Sequence, residues 1–187
     1  MDFFKNYVRR MSEKISCVDI SQLDAATNLI LEAHQKGGKV ILVGNGGSAA
    51  MASHVSVDLT KNTRVRAVNF NEADLITCLA NDFGYEHWVE KAIEFYAQAN
   101  DLVILISSSG QSKNMTTAAM KVKDMGLTLI TFSGFSKNNP LRRMGDVNFW
   151  VDDQTYNIVE MTHHVWLLAI ADKIIEQVTT AATGIKG

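Results

Sequence analysis

The chain is poor in proline and cysteine and carries no excess of charge of either sign. A single proline, Pro140, leaves no proline-rich linker on which separate domains could be strung. Two cysteines, Cys17 and Cys78, have neither metal-ligand spacing nor a second pair, which argues against a disulfide framework or a structural zinc finger and for packed thiols. A net charge of −2 offers no basic face for nucleic acid, so DNA and RNA are not expected as partners. Lys5, Arg9, Arg10, Glu13 and Lys14 interrupt the apolar residues between Met1 and Gly37. That stretch therefore offers no secretory h-region or membrane-length run, and a cytoplasmic protein with no membrane partner is expected. Internal repeats and low-complexity tracts are also lacking.

What remains is an ordinary globular composition, 47% hydrophobic over 187 residues. A chain of this length suits one domain across positions 1–187 that buries roughly two-thirds of its unfolded surface. Phe3, Phe4, Tyr7, Val8, Met11 and Ile15 recur at helical spacing, and a second helix is expected from Ser21 to the stop at Gly37-Gly38. Strands at 40–43, 65–69, 102–106, 127–132 and 147–151 then alternate with helices at 48–60, 73–80, 86–98, 112–125 and 156–178, with a short helical turn near 140–144. The tail from Thr179 to Gly187 reads as frayed. Such alternation predicts an α/β fold, a five-stranded parallel sheet covered by helices on both faces and preceded by two helices. The apolar flank of the first helix is larger than a lone surface helix needs and suggests packing between subunits of a homo-oligomer, dimer or tetramer.

Two loops at strand ends carry the chemical signal. Gly44-Asn45-Gly46-Gly47-Ser48 follows Lys39 to Val43, and Ser107-Ser108-Ser109-Gly110-Gln111-Ser112 follows Leu102 to Ile106. Each leads into a helix, so free backbone N–H groups and the positive end of a helix dipole meet at the strand end, a ready site for an anion. Glycine permits close approach to a phosphate, and the serines add hydroxyl donors. Either loop alone is also what an ordinary strand-to-helix turn looks like. The first loop matches the G-x-G-x-x-A form of the dinucleotide fingerprint as well. That reading requires an acidic ribose hook after the next strand, where Val68-Asn69-Phe70 offers asparagine and Glu72 comes late, and it leaves the serine loop unexplained.

Together with Asn81-Asp82-Phe83-Gly84 and a closing helix containing Val159-Glu160, these loops make the chain resemble the sugar isomerase (SIS) domain family, in its phosphoheptose isomerase branch. The resemblance implies a three-layer α/β/α sandwich of flavodoxin-like order, a homo-oligomer with shared active sites, and a phosphorylated sugar as ligand. Ser107, Ser108, Ser109 and Ser112 match residues that grip phosphate, while Asn45, Gly46, Gly47, Asn81 and Asp82 match positions lining the sugar; Ser48 belongs to the same loop. The reaction implied is conversion of sedoheptulose 7-phosphate to an aldoheptose 7-phosphate that feeds surface polysaccharide synthesis. The alternative is a non-catalytic domain of the same family that binds a phosphosugar or a protein and regulates something else.

Departures from the family pattern concentrate in the catalytic positions. Its histidine and, four residues on, glutamate after the glycine loop stand here as His54 and Asp58, the acid shortened by one methylene. Its glutamine and catalytic histidine on the closing helix stand as Val159 and Leu167, which can neither ligate a metal nor move a proton. Zinc, held by some members through all four positions, would find only His54 and Asp58 here, so no cofactor is expected from the residues themselves. His163 shares a helix stripe with Val159 and Leu167 and could replace the missing histidine, with Glu160 three residues before it and four before His164. Aldose–ketose isomerisation needs a base near C1–C2 and an acid for the oxygens. Asp58 or Glu160 is the expected base, His163 the acid that also assists ring opening, and His54 and Asp82 would orient hydroxyls. The competing reading pairs Glu160 structurally with one histidine and leaves the other in solvent.

Overall fold

The computed structural model describes residues 2–183. The short apolar runs become five strands, β1 (Val40–Gly44), β2 (Ala67–Asn69), β3 (Leu102–Ser107), β4 (Thr128–Ser133) and β5 (Val147–Trp150). They form one parallel sheet in the order β2-β1-β3-β4-β5, the flavodoxin-like arrangement that the family resemblance implies. Strand order reverses between β1 and β3, so their carboxyl ends, Gly44 and Ser107, open the crevice where ligands bind in such sheets.

The helices are α1 (Phe3–Ser16), α2 (Ile20–Gln35), α3 (Gly47–Asp58), α4 (Ala73–Phe83), α5 (Trp88–Tyr96), α6 (Lys113–Asp124) and α7 (Tyr156–Thr183). Side chains alternate across each strand, and here both faces are apolar because both are covered. Val40, Leu42, Leu102, Ile104, Ile130 and Phe132 pack with α2, α3 and α7, whereas Ile41, Val43, Val103, Leu105 and Leu129 pack with α5 and α6.

Several boundaries differ from the sequence reading, and α4 runs three residues past its expected end, to Phe83. The expected helix 48–60 ends at Asp58 and continues as a π-helical stretch, Leu59–Thr63, which is closed by Arg64 in a left-handed conformation with φ of 61°. Thr63 Oγ1 donates to the Leu59 carbonyl at 2.6 Å and so satisfies a group the widened turn frees. The strand expected at 65–69 is ladder-paired only from Ala67 to Asn69, at the sheet edge. The tail expected to fray from Thr179 stays helical to Thr183, with Val178 still packed on the core; residues 184–187 lie outside the described residues.

Two leading helices are present as expected. Asp2 caps α1, Arg10 grips Asp153 with two hydrogen bonds of 2.6 and 2.5 Å, and Trp166 Nε1 donates to the Ile15 carbonyl. No residue of α1 is buried, and Phe3, Phe4 and Val8 face solvent. Among the described residues no helix is long and apolar enough to cross a membrane.

Candidate active site

The glycine loop turns sharply because Gly46 is left-handed, with φ of 57°, and caps α3. Its successor Gly47 has a different reason to lack a side chain: a Cβ there would stand 2.3 Å from Glu160 Oε2. The missing side chain therefore admits a carboxylate from α7 over the start of α3. The serine loop turns at Gly110, also left-handed, and a Cβ at that position would collide with the Asn139 side chain. Reciprocal amide hydrogen bonds of 3.1 and 2.9 Å between Asn45 and Asn114 tie the two loops together.

Between them lies a cavity of about 180 Å³ lined by Asn45, Ser48, Ser107, Ser108, Ser109, Ser112, Tyr156 and Glu160, with Ile106 at its base. The Ser107 hydroxyl hydrogen-bonds Ser112 Oγ at 3.2 Å, and the Ser108 hydroxyl donates to Glu160 Oε1 at 3.4 Å. A wider cleft of about 680 Å³ adjoins it through Asn45 and Ser112 and continues along Tyr85, His87 and Lys113. Burial pushes the Glu160 carboxyl above its ordinary range, only partly opposed by the Ser108 hydroxyl. A carboxyl raised in this way at the edge of a hydroxyl-lined cavity is suited to accept and return a proton.

The cavity gathers Asn45, Ser48, all four loop serines and Glu160 from the sequence-derived site, with Gly46 and Gly47 shaping its wall. Asn81 and Asp82 are not among its lining residues; they sit exposed at the end of α4, bonded to each other at 2.9 Å.

His163 is the clear correction. It does share a stripe with Val159 and Leu167, but that stripe is the core face of α7, where the three are 0%, 0% and 1% exposed. His163 Nε2 donates to the Ser133 carbonyl at 2.9 Å, and its ring packs between Phe132 and Trp166. Complete burial holds its pKa down to about 4, against the pull of the Ser133 bond, so the ring is neutral and sealed from the cavity. It cannot serve there as the acid.

The turn of α7 that faces α3 carries Tyr156, Glu160 and His164, four residues apart. Tyr156 in the cavity and His164 against His54 were missed in the sequence reading, although that spacing was visible in it. His164 Nε2 lies 3.0 Å from His54 Nδ1, and His54 Nε2 lies 3.3 Å from Asp58 Oδ2. Asp58 and His54 are thus drawn to each other and to His164, outside the lining of the serine cavity.

This arrangement does not fit the zinc that the resemblance implies. His54 Nε2 and Asp58 Oδ2 stand 3.3 Å apart, but the two family positions on α7 are filled by Val159 and Leu167, which bring no donor. Among the described residues no group of three His, Cys, Asp or Glu side chains is placed to hold a metal ion, and three protein ligands are the usual minimum for a catalytic zinc.

Comparison with known proteins bears on this geometry. The family model of the SIS domain matches residues 3–134. The phosphoheptose isomerase of Helicobacter pylori strain Shi470 is 32% identical over 159 residues, covering 81% of each chain. That of Clostridium acetobutylicum is 34% identical over 122 residues, covering 62% of each. A phosphoheptose isomerase structure from Neisseria gonorrhoeae superposes with a TM-score of 0.82 at 25% identity, covering 91% of this chain and 94% of the other. One from Francisella tularensis, at 20% identity and a TM-score of 0.81, shares the fold. A family match that spans well over half of the chain, with its glycine and serine loops inside it, makes this protein a member of the SIS domain family.

Proposed function

We propose that the protein is a phosphosugar aldose–ketose isomerase that converts sedoheptulose 7-phosphate to D-glycero-D-manno-heptose 7-phosphate through an enediol. The single observation that carries this reading is the Glu160 carboxyl, aimed over Gly47 into the serine-loop cavity with its pKa raised by burial. The sequence relationship to phosphoheptose isomerases supports the substrate.

In this reading the loop serines and the N–H groups before α6 hold the phosphate, and that remote binding keeps the sugar posed at the reacting carbons. Glu160 takes the proton from the carbon beside the carbonyl and returns it to the neighbouring carbon. Hydroxyl donors at the cavity edge, Tyr156 and Ser108, lie where they can serve the sugar oxygens. No step is routed through a metal. A homo-oligomer joined through the exposed Phe3, Phe4 and Val8 face, a cytoplasmic location and a place ahead of surface polysaccharide synthesis complete the proposal.

The test is NMR of sedoheptulose 7-phosphate in D₂O with metal-stripped protein. Product formation in the native protein, lost in Glu160→Gln with phosphosugar binding kept, is expected. A second reading, a phosphosugar sensor, is favoured by the apolar Val159 and Leu167. It would be the outcome if the sugar binds without any exchange or product.

A further inference from the structure

Asn139, in the connection between β4 and β5, is 1% exposed and is not among the residues lining the serine cavity, yet its carboxamide stands directly behind the glycine turn of that loop. Its Nδ2 donates to the carbonyls of Gly134 and Ser136 at 3.1 and 2.8 Å, and its Oδ1 accepts from the Arg142 N–H at 2.9 Å. These bonds fix the plane of the amide, and its Oδ1 and Cγ fill the space that a Cβ on Gly110 would need. Two residues on, the Leu141 N–H donates to the Gly110 carbonyl at 3.2 Å. In a trans peptide the carbonyl and the following N–H point in opposite directions. With the Gly110 carbonyl turned back to Leu141, the Gln111 N–H is therefore turned toward Ser109 Oγ, 3.2 Å away on the cavity wall. Glycine permits the left-handed turn, with φ of 63°, but it equally lets the next peptide turn over, because no Cβ forbids the mirror conformation. A reversed 110–111 peptide would present a carbonyl oxygen where an anion needs an N–H.

We propose that Asn139 is a positioning residue for the phosphate: wedged against Gly110 and carrying Leu141 to the Gly110 carbonyl, it holds the 110–111 peptide with its N–H toward the ligand. The inference rests on the phosphosugar reading and adds to it a residue that does not touch the sugar. A loop held in its binding geometry beforehand strengthens binding, because the cost of ordering it is not met when the ligand arrives. The same connection leaves room for the loop at Gly134, where a Cβ would stand 3.0 Å from the Ser108 carbonyl. Glu160 is carried by α7 and not by this turn, so the effect of Asn139 belongs to affinity and not to proton transfer.

Asn139→Ser separates positioning from folding. Its hydroxyl can still accept from the Arg142 N–H and so cap the short helix Leu141–Arg143, but it lacks the amide that bonds Gly134 and Ser136 and reaches less far against Gly110. The Kd for inorganic phosphate, measured by calorimetry, should rise at least about fivefold, and the KM for sedoheptulose 7-phosphate with it, while kcat stays within about threefold and Tm stays close to native. Gly110→Ala reaches the same contact from the other side by pushing the carboxamide away, and it should raise the Kd by a similar factor. It decides the question alone if Asn139→Ser does not fold. Because both changes disturb one contact, the double variant should lose less than the product of the two single losses. A smaller rise in Kd, full multiplication in the double variant, or a fall in kcat as large as the rise in KM overturns the inference and leaves the phosphosugar reading intact. Native protein that does not bind inorganic phosphate overturns both.

Discussion

The serine-loop end of the site and the α3–α7 face beside it are built on different principles. At the serine loop, the groups that bind are consecutive in sequence and held by backbone geometry at a strand end. At the α3–α7 face, the contacts between the two helices join residues about a hundred positions apart: Gly47 with Glu160, and His54 with His164. A local loop fixes its chemistry through the chain itself. A face between two helices can be rewritten residue by residue while the fold stays.

Substitutions can break this comparison at either end. The largest loss is expected for Glu160→Gln, which removes the base yet keeps the hydrogen-bonding shape: kcat should fall on the order of 10²–10⁴-fold with phosphosugar affinity retained, as checked by NMR turnover and calorimetry. Gly47→Ala follows. The new Cβ must displace a flexible carboxylate and not backbone, so the fold should survive while a shift of about 1 Å in Glu160 lowers kcat roughly a hundredfold. At the other end, Ser112→Ala removes a hydroxyl that bonds Ser107 and lines the cavity. Its effect should fall on binding, raising the KM and the Kd for inorganic phosphate by about tenfold, the worth of one hydrogen bond of roughly 1–1.5 kcal/mol. An equal fall in kcat for Ser112→Ala would erase the distinction between the two regions.

The smallest effect on turnover is expected for His163→Leu, whose consequence is for stability. In the folded state this histidine has its pKa held down to about 4, below the ordinary value of 6.5. The unfolded chain therefore binds more protons in that interval. Its contribution is fully present above pH 6.5 and is lost as pH falls toward 4, by up to about 3 kcal/mol. Urea unfolding between pH 4 and 7 should show that slope in native protein and a flatter one in His163→Leu. A large loss of kcat in this variant without a loss of stability would return His163 to the site.

The parallel sheet and the two leading helices were legible because strands buried on both faces read as unbroken apolar runs and the intervening helices repeat at 3.6, whereas the strand order came only with the family resemblance. The same holds for the phosphate end, since Ser107 to Ser112 needs only the strand before it and the helix after it. His163 and His164 could not be separated that way. Adjacent positions on a helix differ by about 100°, and both stand near Glu160 in sequence, so spacing alone favours neither. Val159 and Leu167 did carry the signal: two apolar neighbours on the stripe of His163 mark the core face, while Tyr156 and Glu160 mark the stripe of His164 as the polar one.

By itself, then, the sequence determined the layers of the fold and a cradle for phosphate, because both follow from periodicity and from local backbone geometry. Only the tertiary structure decided which histidine is buried, that Gly47 makes room for Glu160, and that Asp58 serves His54 instead of the cavity. Those pairings depend on how α7 lies across α3, and that contact is set by the packing of the whole core rather than by any short segment of the chain.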